Sequence, residues 1–321
     1  MAASWRGRAA AAAALAVPVL GPGPAVAAEG AASFYLLGQR GNFAAVTPPP
    51  GLYFQFDEYV YSGDAGASLA VPAGGELNAG LEADVYLSLP TLAWAPEGEI
   101  LGGRPLLALA LPFGQKNISA EAALDIRGNT VLERDLSEDD FTLGDPVAVA
   151  GLGWNRGFWH WTASAAVNVP VGDYQKGRAT NLAFNRWGLD LTGALTWLNT
   201  ENGRELSLAA GYTTHWENED TDYDSGDEVH LEAGLSQSLP NGLTLGLVGY
   251  YYEQVEDDSG AGAPEGGFRG RVAAFGPSVA WQGTPGGVPL TLRARYYKEF
   301  DVRNRPEGDA FYLGLVVPLG L

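Results

Sequence analysis

The sequence predicts an all-β fold, a transmembrane antiparallel up-and-down β-barrel of about 12 strands with short periplasmic turns and long acidic outer loops. Three observations carry this. First, Phe311 to Leu321 (FYLGLVVPLGL) alternates large apolar residues at Phe311, Leu313, Leu315, Val317, Leu319 and Leu321 with mostly smaller or polar ones. Such alternation lines one face of a strand with apolar side chains, and a greasy terminal strand needs neighbours and a cover. Second, from Thr142 onward strand-length segments are separated alternately by short and long connections. Third, Trp94, Trp154, Trp159, Trp161, Trp197 and Trp281 fall near one set of strand ends, and Trp187 and Trp216 near the other. Trp187 and Trp197 would lie about 25 Å apart along the membrane normal, the height of an outer-membrane apolar band.

In chain order, Arg6 and Arg8 precede an apolar stretch from Ala9 to Leu20, then Gly and Pro, then small residues up to Ala28. Residues 1–28 read as a secretory signal peptide, the apolar stretch being too short for a membrane helix. Residues 29–50 read as an N-terminal periplasmic or plug-like segment, since Pro48, Pro49 and Pro50 oppose regular structure. Residues 51–321 form the barrel. Its first strands are read at Gly51–Ser62, Gly80–Trp94 and Arg104 to about Ile126, the third bent near Pro112–Gly114. The short connections are Asn155–Gly157, Asn199–Gly203, Pro240–Gly242 and Gly283–Val288; the long ones are Val171–Asn185, Glu217–Asp227, Glu256–Phe268 and Asp301–Asp309.

Composition removes several alternatives. A net charge of −19 opposes nucleic acid or anionic lipid as partner. The chain has no cysteine, so a disulfide framework, a thiolate metal site and a Cys nucleophile are unavailable. With 46% apolar residues it is far too hydrophobic to be an unfolded acidic chain.

If the apolar set faces lipid, the alternate set lines the lumen. That places Arg293, Arg295, Tyr297, Glu299 and Asp301 inward on one strand, and His230, Glu232, Ser236 and Ser238 on another. Gln55 and Asp57, Glu82 and Asp84, and Arg186 and Asp190 join them. Charges of both signs on one face must meet partners or water, so these residues either brace the wall or form a conduction path or binding site. The candidate lumen and transport residues are Asp57, Glu82, Asp84, Arg186, Asp190, His230, Glu232, Arg293, Arg295, Tyr297 and Glu299.

Catalytic and metal sites are not expected, nor is a cofactor. Of His160, His215 and His230, only His230 has a suggestive companion on its strand face, Glu232. In the acidic loop Glu217–Glu228, Asp220, Asp222 and Asp224 begin like a calcium loop, but the glycine is displaced to Gly226 and no Glu stands at the twelfth position. A solvated acidic loop is the simpler reading.

Several segments together resemble a known family: PPPGLY (Pro48–Tyr53), GLEADVY (Gly80–Tyr86), ALPFG (Ala110–Gly114), LGDP (Leu143–Pro146), VPVGDY (Val169–Tyr174), NRW (Asn185–Trp187), SGDE (Ser225–Glu228), SGAG (Ser259–Gly262), GRV (Gly270–Val272), RYYKEF (Arg295–Phe300) and NRPEGDA (Asn304–Ala310). The chain resembles the transporter-like outer-membrane proteins described as involved in the meta-pathway of phenol degradation. The resemblance implies a barrel in the bacterial outer membrane that passes small hydrophobic or aromatic compounds, and it carries over no catalytic residue. The expected partners are outer-membrane lipids and lipopolysaccharide, the barrel-assembly machinery, and small apolar or aromatic solutes. A structural barrel with a closed lumen and, less readily, a barrel enzyme are the alternatives. Strands of this kind often end in Phe, whereas this one ends in Leu321.

Overall fold

On many strands the residues are sorted between the two faces in the reverse of a water-soluble protein. In β10 (Glu228–Ser238), Leu231 and Leu235 are 51% and 56% exposed, while His230 and Glu232 on either side of Leu231 are 1% and 2% exposed. Successive strand side chains point to opposite faces, so a leucine face looks outward and a polar face is buried. Lipid outside and protein inside satisfy both faces; water outside satisfies neither.

The computed structural model describes residues 29, 32–71, 75–126, 129–263 and 269–320. The remaining strands are β1 (Gly51–Val71), β2 (Gly75–Ala95), β3 (Arg104–Ala110), β4 (Phe113–Ile126), β5 (Asn129–Leu143), β6 (Val147–Arg156), β7 (Trp159–Asn168), β8 (Gly188–Asn199), β9 (Arg204–His215), β11 (Leu243–Gln254), β12 (Arg271–Gly283), β13 (Leu290–Arg303) and β14 (Glu307–Pro318). All pair antiparallel, and β1 closes on β14 from Tyr53 opposite Pro318 to Asp64 opposite Glu307. The residues expected to carry a signal peptide, 1–28, lie outside the described ones.

The fourteen segments make twelve staves, because two staves are broken in the middle. β3 and β4 are successive halves of one stave, both paired to β2; β5 and β6 are halves of the next, with β4 paired to β5 and β3 to β6. Pro112 cannot donate to a ladder and sits at the first break, the bend that the sequence places near Pro112–Gly114; Gly144 and Pro146 sit at the second. β6–β7 pairing ends at Val147 opposite Asn168, so among strands β5 has only β4 as a neighbour. The connection 169–187 covers the step. Asp145, buried, holds it there by accepting from Asn168 Nδ2 (3.0 Å), the Gly172 amide (2.9 Å) and the Phe184 amide (2.7 Å).

Two readings of the connections need correcting. The fourth stave begins at Asn129, well before Thr142, because its polar first half forms a hairpin with β4 rather than a membrane-facing alternation. The connection expected over Asp301–Asp309 shrinks to residues 304–306, since the strands continue past the lipid band and pair to their tips. Long connections at this end are 169–187, 216–227 and 255–270. The aromatic girdles are in place: Trp216 donates its amide to the Trp187 carbonyl (3.0 Å) at the long-loop end, and Trp159 lies opposite Trp197 at the other.

Candidate functional site: a chain crossing the lumen

A segment without ladder partners that enters a barrel must find acceptors and donors for its own backbone, because water no longer serves each group. Residues 32–50 solve this with the inward side chains of the wall. Glu232 accepts from the Tyr35 hydroxyl (2.7 Å) and the Arg40 amide (2.8 Å). Glu205 accepts from the Phe43 amide (2.9 Å) and Asn42 Nδ2 (3.2 Å). Ser207 and Thr196 take the amides of Ala44 (3.1 Å) and Ala45 (3.0 Å). Arg295 Nη1 donates to the carbonyls of Gly38 (2.9 Å) and Gln39 (2.7 Å), and Tyr297 donates to Gly38 as well (2.9 Å). Tyr312 donates to the Leu37 carbonyl.

The segment runs the full height of the barrel. Its upper end, Glu29, is held among the long loops by Arg186, Asn218 and Thr221. Its lower end reaches the short-turn side, where Arg104 Nη1 donates to the Pro48 carbonyl (3.2 Å). Glycine lets wall and segment touch in the middle: a Cβ on Gly234 would stand 2.7 Å from the Asn42 amide nitrogen and 2.8 Å from the Gly41 carbonyl carbon. Gly234→Val is expected to leave the barrel folded, by its heat-modifiable band on a gel, while making the bond after Arg40 cleavable by trypsin. Resistance equal to wild type would contradict this contact's importance.

The structure puts the predicted residues to different uses, Arg186 holding Glu29 at the upper end of the segment (3.0 Å). Glu232, Arg295 and Tyr297 hold the segment directly. Asp190 and His230 stand behind it: His230 Nε2 meets Asp190 Oδ2 at 2.7 Å, Thr213 and Thr192 donate to Asp190 (2.8 and 2.5 Å), and the His230 ring stacks on Tyr35 at 3.5 Å. The expected companion of His230, Glu232, is thus engaged with the segment. Arg293 donates to both Asp57 oxygens, from Nη2 to Oδ1 (2.8 Å) and Oδ2 (2.9 Å) and from Nε to Oδ1 (3.2 Å). Glu299, 2% exposed, accepts from Tyr61 (3.0 Å), Tyr250 (2.8 Å) and the Gly308 amide (2.9 Å).

Glu82 and Asp84 do not face the lumen. They share the parity of Tyr86, Leu92 and Trp94, which are 50%, 49% and 45% exposed, whereas Ala83 and Leu89 are buried. The inward side of β2 is apolar because Val85 packs on a cluster of tyrosines, Tyr61, Tyr250, Tyr252, Tyr297 and Tyr312. The rule that the polar set points inward therefore fails on this strand. Glu82 and Asp84 lie opposite Asp64 and Ser62, level with the start of β14, at the rim. Asp301 is also outside the lumen: a positive φ of 53° and a register shift opposite it turn its carboxylate to Arg271 (2.9 Å) in an exposed pair.

Glu205, Ser207, Thr196 and the tyrosines of the cluster other than Tyr297 escaped the sequence reading. The first two were detectable, since they alternate with Leu206 and Leu208 on β9 as His230 and Glu232 do with Leu231 and Leu235 on β10. In the acidic loop, Asp220 accepts from Asn185 Nδ2 (2.9 Å), and Asp224 exchanges backbone hydrogen bonds with Ser259 (both 2.9 Å). Burial pushes the Asp224 carboxyl above its ordinary range, with the nearby His215 pulling it partly back.

Fold and bore together define a transmembrane β-barrel of the outer-membrane type whose lumen is crossed by its own N-terminal segment. The chain belongs to the family described as "Putative MetA-pathway of phenol degradation", whose model matches residues 63–315. An outer-membrane channel of Pseudomonas putida F1 superposes on 87% of this chain and 98% of its own with a TM-score of 0.66, at 15% identity. OmpT of Vibrio cholerae (TM-score 0.35, 8% identity, 83% of this chain and 98% of that one) and OccAB1 of Acinetobacter baumannii (0.34, 8%, 85% and 97%) are similar more distantly. No curated protein sequence matches. The protein is an outer-membrane barrel.

Proposed function

We propose that this barrel passes small hydrophobic or aromatic compounds, of the phenol type, across the outer membrane, with residues 29–50 acting as a movable plug. The observation that carries the reading is the tyrosine cluster. Leu36 and Leu37 of the segment pack against it. The hydroxyls of Tyr61, Tyr250, Tyr252, Tyr297 and Tyr312 are already bonded, to Glu299, Glu228 and the backbone at Pro306, Leu37 and Gly38. Whatever replaces the two leucines meets the ring faces of Tyr61, Tyr250 and Tyr252, whose hydroxyls stay bonded to the wall, and the Tyr297 and Tyr312 phenols that the departing Gly38 and Leu37 carbonyls set free; such a wall suits apolar and aromatic solutes, phenols among them. The breaks at Pro112 and Gly144–Pro146 add a weak point in the wall beside which an apolar solute could leave for lipid.

The family description and the channel neighbour agree with a transport role, and the tyrosine wall argues for the cargo. The test is uptake of a neutral aromatic hydrocarbon by Gram-negative cells with intact lipopolysaccharide, with and without the protein. Faster uptake with the protein, lost on Leu36→Asp/Leu37→Asp, supports the proposal. Equal uptake in both strains, or swelling of protein-bearing liposomes in sugars at porin-like rates, overturns it. The closed structural barrel is favoured by the density of hydrogen bonds along residues 32–50, and absent uptake together with absent conductance would establish it.

A further inference from the structure

At the outer mouth a carboxylate already sits in a built cradle. Glu29 Oε2 meets Arg186 Nη1 at 3.0 Å; Asn218 Nδ2 donates to both Glu29 oxygens (3.1 and 3.0 Å), and the Thr221 hydroxyl to Oε1 (2.8 Å). The cradle is set where two loops meet: Asn185 Nδ2 donates to Asn218 Oδ1 (2.9 Å), and Asn218 Nδ2 also reaches the Tyr174 hydroxyl (3.2 Å). Asn218 is fully buried and Arg186 is 2% exposed. Yet Arg186 is only half used. Among the described residues its Nη2 has no hydrogen-bond partner, although it is buried.

A guanidinium binds a free carboxylate with both nitrogens in a planar fork. Glu29 takes only one, its other oxygen being held by Thr221 and Asn218. An untethered carboxylate can take both nitrogens and relieve an unpartnered buried donor, which otherwise costs free energy. Phe184 lies against the same guanidinium, its ring centroid 5.5 Å away, and the Tyr174 phenol stands beside Asn218. The surroundings therefore present one cation and flat apolar walls, while Asp220 and Asp224 near the rim hold anion affinity down.

We propose that this cradle is a carboxylate-binding site of the outer mouth, that Glu29 fills it when the lumen is plugged, and that a small aromatic carboxylate from outside displaces Glu29 and frees the upper end of the plug. The proposal rests on residues 29–50 being a movable plug and adds what moves it. It also widens the class of solute from neutral aromatics to their carboxylated relatives, recognised by charge at the mouth before any apolar contact deeper in.

The absence of native cysteine permits a clean test. A spin label at Ala32→Cys, in the full-length protein in lipid vesicles, reports the mobility of the plug's upper end. Benzoate is expected to raise that mobility with a half-effect in the range of about 1–10 mM, and benzyl alcohol at equal concentration to leave it unchanged. Glu29→Gln weakens the internal occupant and is expected to lower the half-effect concentration about tenfold. Arg186→Gln is expected to abolish the benzoate response. A label that ignores benzoate, responds equally to benzyl alcohol, or responds undiminished in Arg186→Gln overturns the cradle. A variant carrying Asn218→Ala with Arg186 intact serves if Arg186→Gln fails to fold, and is expected to weaken the response. Uptake of the neutral hydrocarbon persisting while benzoate does nothing would leave the transport reading standing and sink only this one.

Discussion

Removing residues 32–47 is expected to raise single-channel conductance in planar bilayers on the order of tenfold, since a barrel of twelve staves, larger than one its own side chains can fill, loses the chain that fills it. No strand pairing involves the deleted residues, so the wall itself is left complete. What changes is the state of the inward polar groups. Glu232, Glu205 and Arg295 each give up partners on the segment and find water in the opened bore, which hydrates them at little cost compared with an apolar surround. A complementary variant checks that substitution in the segment does not by itself open the bore. Asn42 Oδ1 and the Ser278 hydroxyl are 2.6 Å apart, and a disulfide between Asn42→Cys and Ser278→Cys would fasten the segment to β12. The oxidised form should conduct no more than wild type, and reduction should leave it so, since wild type is itself plugged. If the deletion conducts like wild type, the segment does not limit the bore.

Much of this arrangement is legible in the sequence, and what is not has a physical reason. Parity located Asp57, Asp190, His230, Glu232, Arg293, Arg295, Tyr297 and Glu299 on the buried face because lipid and lumen impose opposite demands on alternate positions. It failed for Glu82 and Asp84, where the strand is apolar on its lumen side and rises past the lipid band, so neither face obeys the simple rule. It failed for Asp301 because a bulge adds a residue and reverses the faces beyond it. The break at Pro112 was visible from proline's missing donor. The path of residues 32–50 was not, since an irregular segment has no periodicity to read and its partners are up to 275 residues distant. The composition carries a hint all the same: an inner face rich in carboxylates without enough cations implies neutral donors from elsewhere, and a backbone supplies amides.

Replacing Glu299 by Ala is expected to lower the stability of the barrel by about 3–5 kcal/mol, read as a fall in the urea midpoint of the lipid-embedded protein. Glu299 stands on β13 and collects donors from three other strands: Tyr61 on β1, Tyr250 on β11 and the Gly308 amide on β14. β1 and β14 are the pair that closes the barrel, so the lost acceptor lies at the seam where first and last strands join. Its removal orphans the Tyr250 phenol and the Gly308 amide in a place nearly free of water, while Tyr61 keeps the Pro306 carbonyl (3.1 Å); each orphaned group costs about 1–3 kcal/mol, partly recovered as neighbours shift. It also removes a carboxylate whose charge acts on the buried Arg305 guanidinium, stacked over the Tyr252 ring at 5.0 Å. Glu299→Gln keeps an acceptor oxygen and the volume, and should cost only about a third as much because the geometry survives while the charge is lost. Equal losses for the two variants would mean that the seam depends on the charge facing Arg305 rather than on the hydrogen bonds. Because the same tyrosines form the proposed apolar wall, the Ala variant should also blunt aromatic uptake, whereas Glu299→Gln should spare it.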